Sequence, residues 1–208
     1  LAGFHIYFAD PRKPSNWLPE KIKVFGEEFL TNKINGRNLS YGLLSFFQIN
    51  ENMFKKALTD ISSFVEQGSE IVDYYSGVGT IGLGINKKIK SGILVENNSE
   101  AVKFAKENIL KNKVQHFEAV CAPAEKMTDY IKGDKTIIVD PVRAGLHTHL
   151  VKKILKEKPK KIIYLSCDIS TQARDLKYFS ALYSVKFLKL YNFFPRTPHI
   201  EALAVLEL

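Results

Sequence analysis

From Glu70 to the C-terminus, short apolar runs alternate with stretches of helical spacing, and this alternation limits the possible folds more than any other feature. The segments "EIVDYY", "SGILVE", "VQHFEAVCA", "KTIIVDP" and "KIIYLSC" read as buried strands. The segments "GTIGLGINKKI", "SEAVKFAKENILKN", "HLVKKILKEK" and "STQARDLKYF" read as helices, the second with Ala101, Ala105 and Ile109 at four-residue spacing. Strands that are apolar on both sides need cover on both faces, and helices between consecutive strands make them parallel. No helix separates "YSVKFLKLYNFF" from "IEALAVLEL", so this last pair is expected to be antiparallel. The expectation is an α/β fold: a doubly wound, mostly parallel, Rossmann-like sheet with an antiparallel last strand.

Residues 1–50 read differently. Short strands flank Asn35-Gly36, a hairpin turn signal, and Pro11, Pro14 and Pro19 make the first twenty residues loop-like. This predicts a small β-rich N-terminal element ahead of a main domain over 51–208. Residues 50–67 carry Phe54, Leu58, Ile61 and Val65 at helical spacing, with Asn50 or Asn52 as cap and Gly68 as stop. No apolar run approaches the ~20 residues of a membrane span, and no signal peptide is visible, so a cytoplasmic protein is expected. The two cysteines, Cys121 and Cys167, are too few for a disulfide framework or a zinc cluster, and no metal site is expected. The net charge of +8 favours a polyanionic partner, nucleic acid first. The lysines at 152, 153, 156, 158, 160 and 161 could touch phosphate, although a solvated face is the plainer reading.

Four features fall where strands end. Gly77, Gly79 and Gly82 form a literal G-x-G-x-x-G between a strand and a helix, and Glu96 ends the next strand. Such glycines let backbone approach a ligand, and such an acid accepts bonds from ribose hydroxyls. The pattern fits a nicotinamide cofactor or S-adenosylmethionine; Asp73, upstream of the glycines, leans toward the latter, whose methionine end carries an ammonium. Asp140 of "DPVRAGL" and Cys167 of "LSCDIS" stand at the carboxyl ends of later strands. Ligands of open α/β sheets bind along that edge, so Cys167 is a candidate nucleophile, whereas Cys121 lacks such company and reads as structural. Glu201 and His199 follow the rigid "FFPRTPHIE" loop, from which a carboxylate can reach the same edge.

Taken together, "FFQIN" (46–50), "DYYSGVGTIGL" (73–83), "VENNSEAVKFAKENILKN" (95–112), "DPVRAGL" (140–146), "YLSCDISTQARDL" (164–176) and "FPRTPHIE" (194–201) resemble the RNA uracil-5-methyltransferase family. The resemblance implies an S-adenosylmethionine-dependent methyltransferase domain over 51–208 that makes 5-methyluridine in tRNA or rRNA. It implies Cys167 as nucleophile, Glu201 as the base that removes the C5 proton, and Asp140 between cofactor and uracil. Gln48, Tyr75, Gly77, Gly79, Thr80 and Glu96 match cofactor contacts. Arg143 is a candidate for flanking phosphates by charge and position. Family members often add an N-terminal RNA-binding barrel, for which 208 residues leave no room, and some an iron–sulfur cluster, which two cysteines exclude. No membrane and no obligatory protein partner is implied. Two positions depart from the family pattern: Val142 replaces a second proline, and Asp168-Ile169 replace Asn-Pro.

Three rival readings remain at this point. An RNA cytosine-5-methyltransferase would show a cysteine where Arg143 stands. A nicotinamide-dependent oxidoreductase leaves "DPVR", "LSCDIS" and "PHIE" unused. An RNA- or cofactor-binding domain without turnover would keep the motifs and lose the chemistry. The thiol mechanism carries one further expectation, local stabilisation of the Cys167 thiolate.

Overall fold

The computed structural model describes residues 2–13, 20–85 and 88–208. Two antiparallel hairpins come first. The strands β1 (Gly3–Phe8) and β2 (Glu20–Gly26) form one, β3 (Phe29–Ile34) and β4 (Arg37–Gly42) the other. Asn35 and Gly36 take φ of 46° and 82°, the doubly positive pair of the type I′ turn expected of Asn-Gly. The prolines do not make the whole N-terminus a loop: "GFHIYF" alternates aromatic and β-branched residues and is strand β1, with Pro11 beyond its end. Pro14 and Pro19 lie outside the described residues. Ile34 and Leu39 carry the second hairpin into the core shared with the helices that follow.

The next helix is α1 (Glu51–Phe64), capped by Asn50, whose side-chain oxygen accepts from the Met53 amide at 3.2 Å. Phe54, Leu58 and Ile61 form its buried stripe. It ends before Gly68, because Val65 is already extended. The chain then alternates as expected: β5 (Ser69–Tyr74), α2 (Thr80–Gly84), β6 (Ile89–Glu96), α3 (Ser99–Lys111), β7 (Phe117–Cys121), β8 (Thr136–Val139), α4 (Thr148–Glu157), β9 (Lys161–Ser166), α5 (Ile169–Phe179), β10 (Ser184–Tyr191) and β11 (Glu201–Glu207). The helix α2 is much shorter than "GTIGLGINKKI" suggested, since Ile89 and Lys90 already belong to β6; Asn86 and Lys87 lie outside the described residues.

The seven-stranded sheet has the order β10-β11-β9-β8-β5-β6-β7, with β5 to β9 parallel and β11 antiparallel to both its neighbours. The alternation of side chains across each strand feeds two cores. Ile71, Leu94, Ile138, Ile163 and Leu203 meet α1 and α3 on one face. Val72, Val95, Ile137, Val139 and Ile162 meet α4 and α5 on the other. Double cover explains why these strands are apolar throughout. Strand order reverses between β5 and β8, which pair directly from Ile71–Thr136 to Tyr74–Val139. A crevice therefore opens beyond their carboxyl ends, at residues 75 and 140. Among the described residues, no helix is long and apolar enough to cross a membrane.

The lysine-rich corner is only partly a solvated face. Lys161 is buried and meets Glu66 and Glu207, Lys160 meets Glu66, and Lys153 meets Asp129 and Glu157.

Candidate active site

The glycine loop begins at the tip of β5. Tyr75, Gly77 and Gly79 take φ of 62°, 54° and 87°, so the backbone turns back on itself before α2. An added Cβ on Gly79 would stand 2.8 Å from Leu94 Cδ1, a clash with the core. One on Gly77 would meet only the Phe46 carbonyl at 3.8 Å, so space lies open above that residue. Gln48, Tyr75, Ser76, Gly77, Thr80 and Asp140 line a single small cavity there, walled by Phe46, Phe54 and Ile81. Gln48 is buried, and the Ser76 hydroxyl is buried without a protein partner.

Two acids hold the loop from below. The Gly77 amide donates to Glu96 Oε2 at 3.0 Å, while the Asn97 and Asn98 amides both donate to Oε1 at 2.8 Å. Asp73 braces the glycine loop from the end of β5. It is fully buried, and its Oδ2 accepts from the Gly82 amide at 2.9 Å, which pins the start of α2. Burial pushes the Asp73 carboxyl up to about 7, with the Glu96 charge adding to the rise and the Gly82 amide opposing it. Its other oxygen has no protein partner.

The second half of the site lies on β8, β9 and β11. The antiparallel register pairs Ala202 with Ser166, so one further step sets Glu201 opposite Cys167. Asp140 is the first residue past β8, the strand beside β9. Glu201 is buried, its Oε2 has no protein partner, and burial raises its carboxyl to about 7. Asp140 stands well above the usual carboxylate range, through burial first and then the Glu201 and Asp73 charges. Cys167 is half-buried. Contrary to expectation its thiol is pushed up rather than down, by burial and then by Glu201 and Asp140, against the pull of its own amide and of Arg143. Burial and the nearby acids together outweigh the Arg143 charge.

Arg143 is exposed on the loop after β8, with Nη2 3.3 Å from His199 Nε2. The loop that precedes Glu201 thus meets the loop that follows Asp140. Cys121 is not a core residue: it is exposed at the tip of β7, with only a 3.9 Å contact to the Asn97 carbonyl. The two departures at 168 and 169 have a local account. Asp168 is the N-cap of α5, accepting from the Thr171 amide at 2.9 Å, and Ile169 is the first helical residue. Asparagine caps as aspartate does, and proline is well suited to a first helical position. Val142 is largely exposed, so no core packing depends on it.

The pair Arg174–Asp175 escaped the sequence reading. Its signal was present: Gln172, Asp175 and Phe179 share the buried face of α5, where polar residues are unexpected. The Gln172 amide donates at 3.0 Å to the carbonyls of both Tyr164 and Ala202, which ties α5 to β9 and β11.

Comparison with known proteins gives a consistent picture. A family model described as tRNA (Uracil-5-)-methyltransferase matches residues 19–208. A tRNA (uracil(54)-C(5))-methyltransferase of Pyrococcus horikoshii is 37% identical over 202 residues, which cover 97% of this chain and 48% of that protein. An uncharacterized RNA methyltransferase of Mycoplasma mobile is 37% identical over 206 residues, covering 94% of this chain and 56% of its own length. Among solved structures, the Pyrococcus abyssi tRNA (uracil-54, C5)-methyltransferase in complex with S-adenosyl-L-homocysteine has a TM-score of 0.83 at 33% identity, over 97% of this chain and 50% of that one. The chain thus spans about half the length of these relatives.

Proposed function

This chain belongs to the tRNA (uracil-5-)-methyltransferase family, and from that premise we propose that it methylates C5 of a uridine in RNA with S-adenosylmethionine as donor. The names of its relatives favour tRNA as the substrate class. The observation that carries the reading is the register that sets Glu201 against Cys167, with Asp140 at the tip of the adjacent strand.

The cradle fits the cofactor. Its glycines leave room for a ligand above Gly77, and the unpartnered Ser76 hydroxyl lines the same cavity. Gln48, Tyr75, Gly77, Gly79, Thr80 and Asp140 would hold it. A carboxylate has about four acceptor positions, so Glu96, with three backbone amides already bound, keeps about one for a ribose hydroxyl. S-adenosylmethionine supplies an electrophilic methyl group on a positively charged sulfur.

The chain's own residues supply the rest. Uracil C5 is a weak nucleophile until a thiolate bonds to C6, which turns C5 into an enolate carbon. Cys167 is assigned that bond; its half-exposed thiol first gives its proton to solvent water, and the Arg143 charge favours the thiolate. Asp140, whose carboxyl burial raises, is suited in its acid form to donate to a uracil carbonyl as charge builds there. Once C5 carries the methyl group beside its own proton, Glu201 takes that proton, the freed electron pair re-forms the C5–C6 double bond, and the Cys167 sulfur leaves as thiolate. Bringing the base into the site costs a few kcal/mol from a duplex and less from a loop, which favours a loop uridine. Arg143, exposed and positively charged, would meet a flanking phosphate. The nicotinamide reading leaves Asp140, Cys167 and Glu201 without a task and is set aside.

The test uses RNA in which 5-fluorouridine replaces uridine, incubated with protein and S-adenosylmethionine. Fluorine cannot leave as a proton does, so the reaction stalls with sulfur still bonded to C6. The expected result is a protein–RNA adduct that survives a denaturing gel and vanishes in Cys167→Ala. No adduct from a protein that still binds cofactor would point instead to a binding domain without turnover.

A further inference from the structure

We propose that Asp175 is a positioning residue, whose buried carboxylate clamps the loop after β8 and so sets Arg143 and Asp140 in place against Cys167. The inference rests on the reading of those three residues given above.

Asp175 lies on α5 and is fully buried. Its Oδ2 accepts from the Leu146 amide at 2.8 Å and from the Tyr164 hydroxyl at 2.9 Å. Its Oδ1 accepts from Arg174 Nε at 2.9 Å and Nη2 at 2.8 Å. The same Nη2 also reaches the Ala144 carbonyl at 3.0 Å. The pair therefore grips the loop at residues 144 and 146, on the far side of Arg143 from Asp140. Between them Gly145 takes φ of 76°, and a Cβ there would stand 2.6 Å from Arg174 Nη2 and 2.7 Å from Asp175 Oδ2. Only glycine lets the loop settle this deeply onto the carboxylate.

The other end of the clamp is equally fixed. Tyr164 pairs with Val139, the residue before Asp140, and lies three residues before Cys167. One carboxylate thus binds the strand that presents the thiol and the loop that presents Arg143 and Asp140. Arg143 in turn meets His199, two residues before Glu201. A buried carboxylate is costly unless its oxygens are satisfied, and here four donors satisfy it. Two of those donors carry the site's geometry rather than the helix's own.

The test reads Arg143 through the sulfur, without any methyl transfer. In a Cys121→Ser background, Cys167 is alkylated with anionic iodoacetate and with neutral iodoacetamide. The ratio of the two rates reports the field at the thiol, set by Arg143 against Glu201 and Asp140. Removing one partly exposed cation should lower it about threefold, which Arg143→Ala calibrates. Asp175→Asn keeps the size but replaces an acceptor with a donor, and it should lower the ratio nearly as far while Arg143 is still present. Should Asp175→Asn fail to fold, Arg174→Lys serves: it keeps the charge, loses the two-pronged grip, and should move the ratio the same way by less. Steady-state methylation gives a second readout, with kcat reduced at saturating cofactor and RNA. Folded variants whose ratio equals that of the Cys121→Ser parent would overturn the inference, as would an Arg143→Ala protein with an unchanged ratio. Absence of methylation in every protein, with the alkylation pattern intact, would count against the proposed reaction and leave the clamp standing.

Discussion

Glu96 and Glu201 each mark the carboxyl edge of the sheet, yet their surroundings are opposite. Glu96 accepts three backbone amides and is settled before any ligand arrives. Glu201 is buried with one oxygen unpartnered and its carboxyl raised to about 7. The glycine-loop half of the site is thus preorganised by its own backbone. The half at Asp140, Cys167 and Glu201 sets two raised carboxyls beside a thiol, with Glu201 Oε2 left unpartnered. Such unsatisfied groups cost stability and persist where function uses them. A ligand entering the first half finds a finished cradle. A base entering the second finds groups ready to exchange protons.

The largest expected effects lie in the second half. Cys167→Ala should reduce methyl transfer to background, while cofactor affinity, measured by calorimetry, stays within about twofold because the cradle is untouched. A comparable loss of cofactor affinity would mean that the two halves are not separable. Glu201→Gln should slow turnover by roughly 10²–10⁴-fold and let the Cys167 adduct accumulate on ordinary uridine RNA. In the wild type, the rate should rise with pH through about 7 as Glu201 ionises.

Glu201→Gln should also stabilise the fold at neutral and higher pH. Burial raises the folded carboxyl to about 7 from its ordinary 4.5. Between those values the folded state holds a proton that the unfolded state has lost, so stability falls as pH rises through that window and then levels off. The shift corresponds to a penalty on the order of 3 kcal/mol at pH 8 and almost none at pH 4. Thermal melts at the two pH values should show the variant more stable at pH 8 and nearly equal at pH 4. Equal melting at pH 8 would remove the contrast with Glu96.

A smaller effect is expected in the cradle. Gly77→Ala has room for its methyl, with only the Phe46 carbonyl within 4 Å, but must hold a left-handed φ of 54°. The fold should lose about 1 kcal/mol, and cofactor affinity about tenfold as the methyl enters the space above the loop. A variant with unchanged affinity would place the ligand elsewhere.

Much of this was readable because the signals were local or periodic. Strand and helix alternation followed from apolar runs and spacing, and Asn35-Gly36 and Asn50 announced a turn and a cap. The strand tips gathered Gly77, Glu96, Asp140 and Cys167 on one edge because parallel strands must share a carboxyl end. What escaped depended on contacts between distant segments. That Asp73 also accepts from the Gly82 amide depends on how the loop folds back. The thiol's environment was misjudged because the approach of Glu201 depends on antiparallel register. The clamp at Asp175 needs the loop after β8 to meet α5, a contact no spacing in the chain reveals.

The smallest expected effect concerns Asp168 and Ile169, where the chain departs from its family beside the nucleophile. Asp168 has φ −138° and ψ 108°, the extended geometry that a following proline demands. Ile169 occupies the first helical position, whose amide an α-helix leaves unpaired, and its side chain is 47% exposed. Ile169→Pro should therefore be neutral or stabilise by up to about 1 kcal/mol, through a stiffer unfolded chain. Asp168→Asn exchanges one good cap for another and should change stability by less than about 0.5 kcal/mol. The double variant restores the family pair directly after Cys167 and leaves Glu201, Asp140 and Arg143 as they are. Methyl transfer should stay within about twofold of the parent, measured beside its thermal melt. A tenfold change with an unaltered melt would show that the crowded half is tuned by the charge at 168, and the contrast between the halves would then extend to the helix cap behind the thiol.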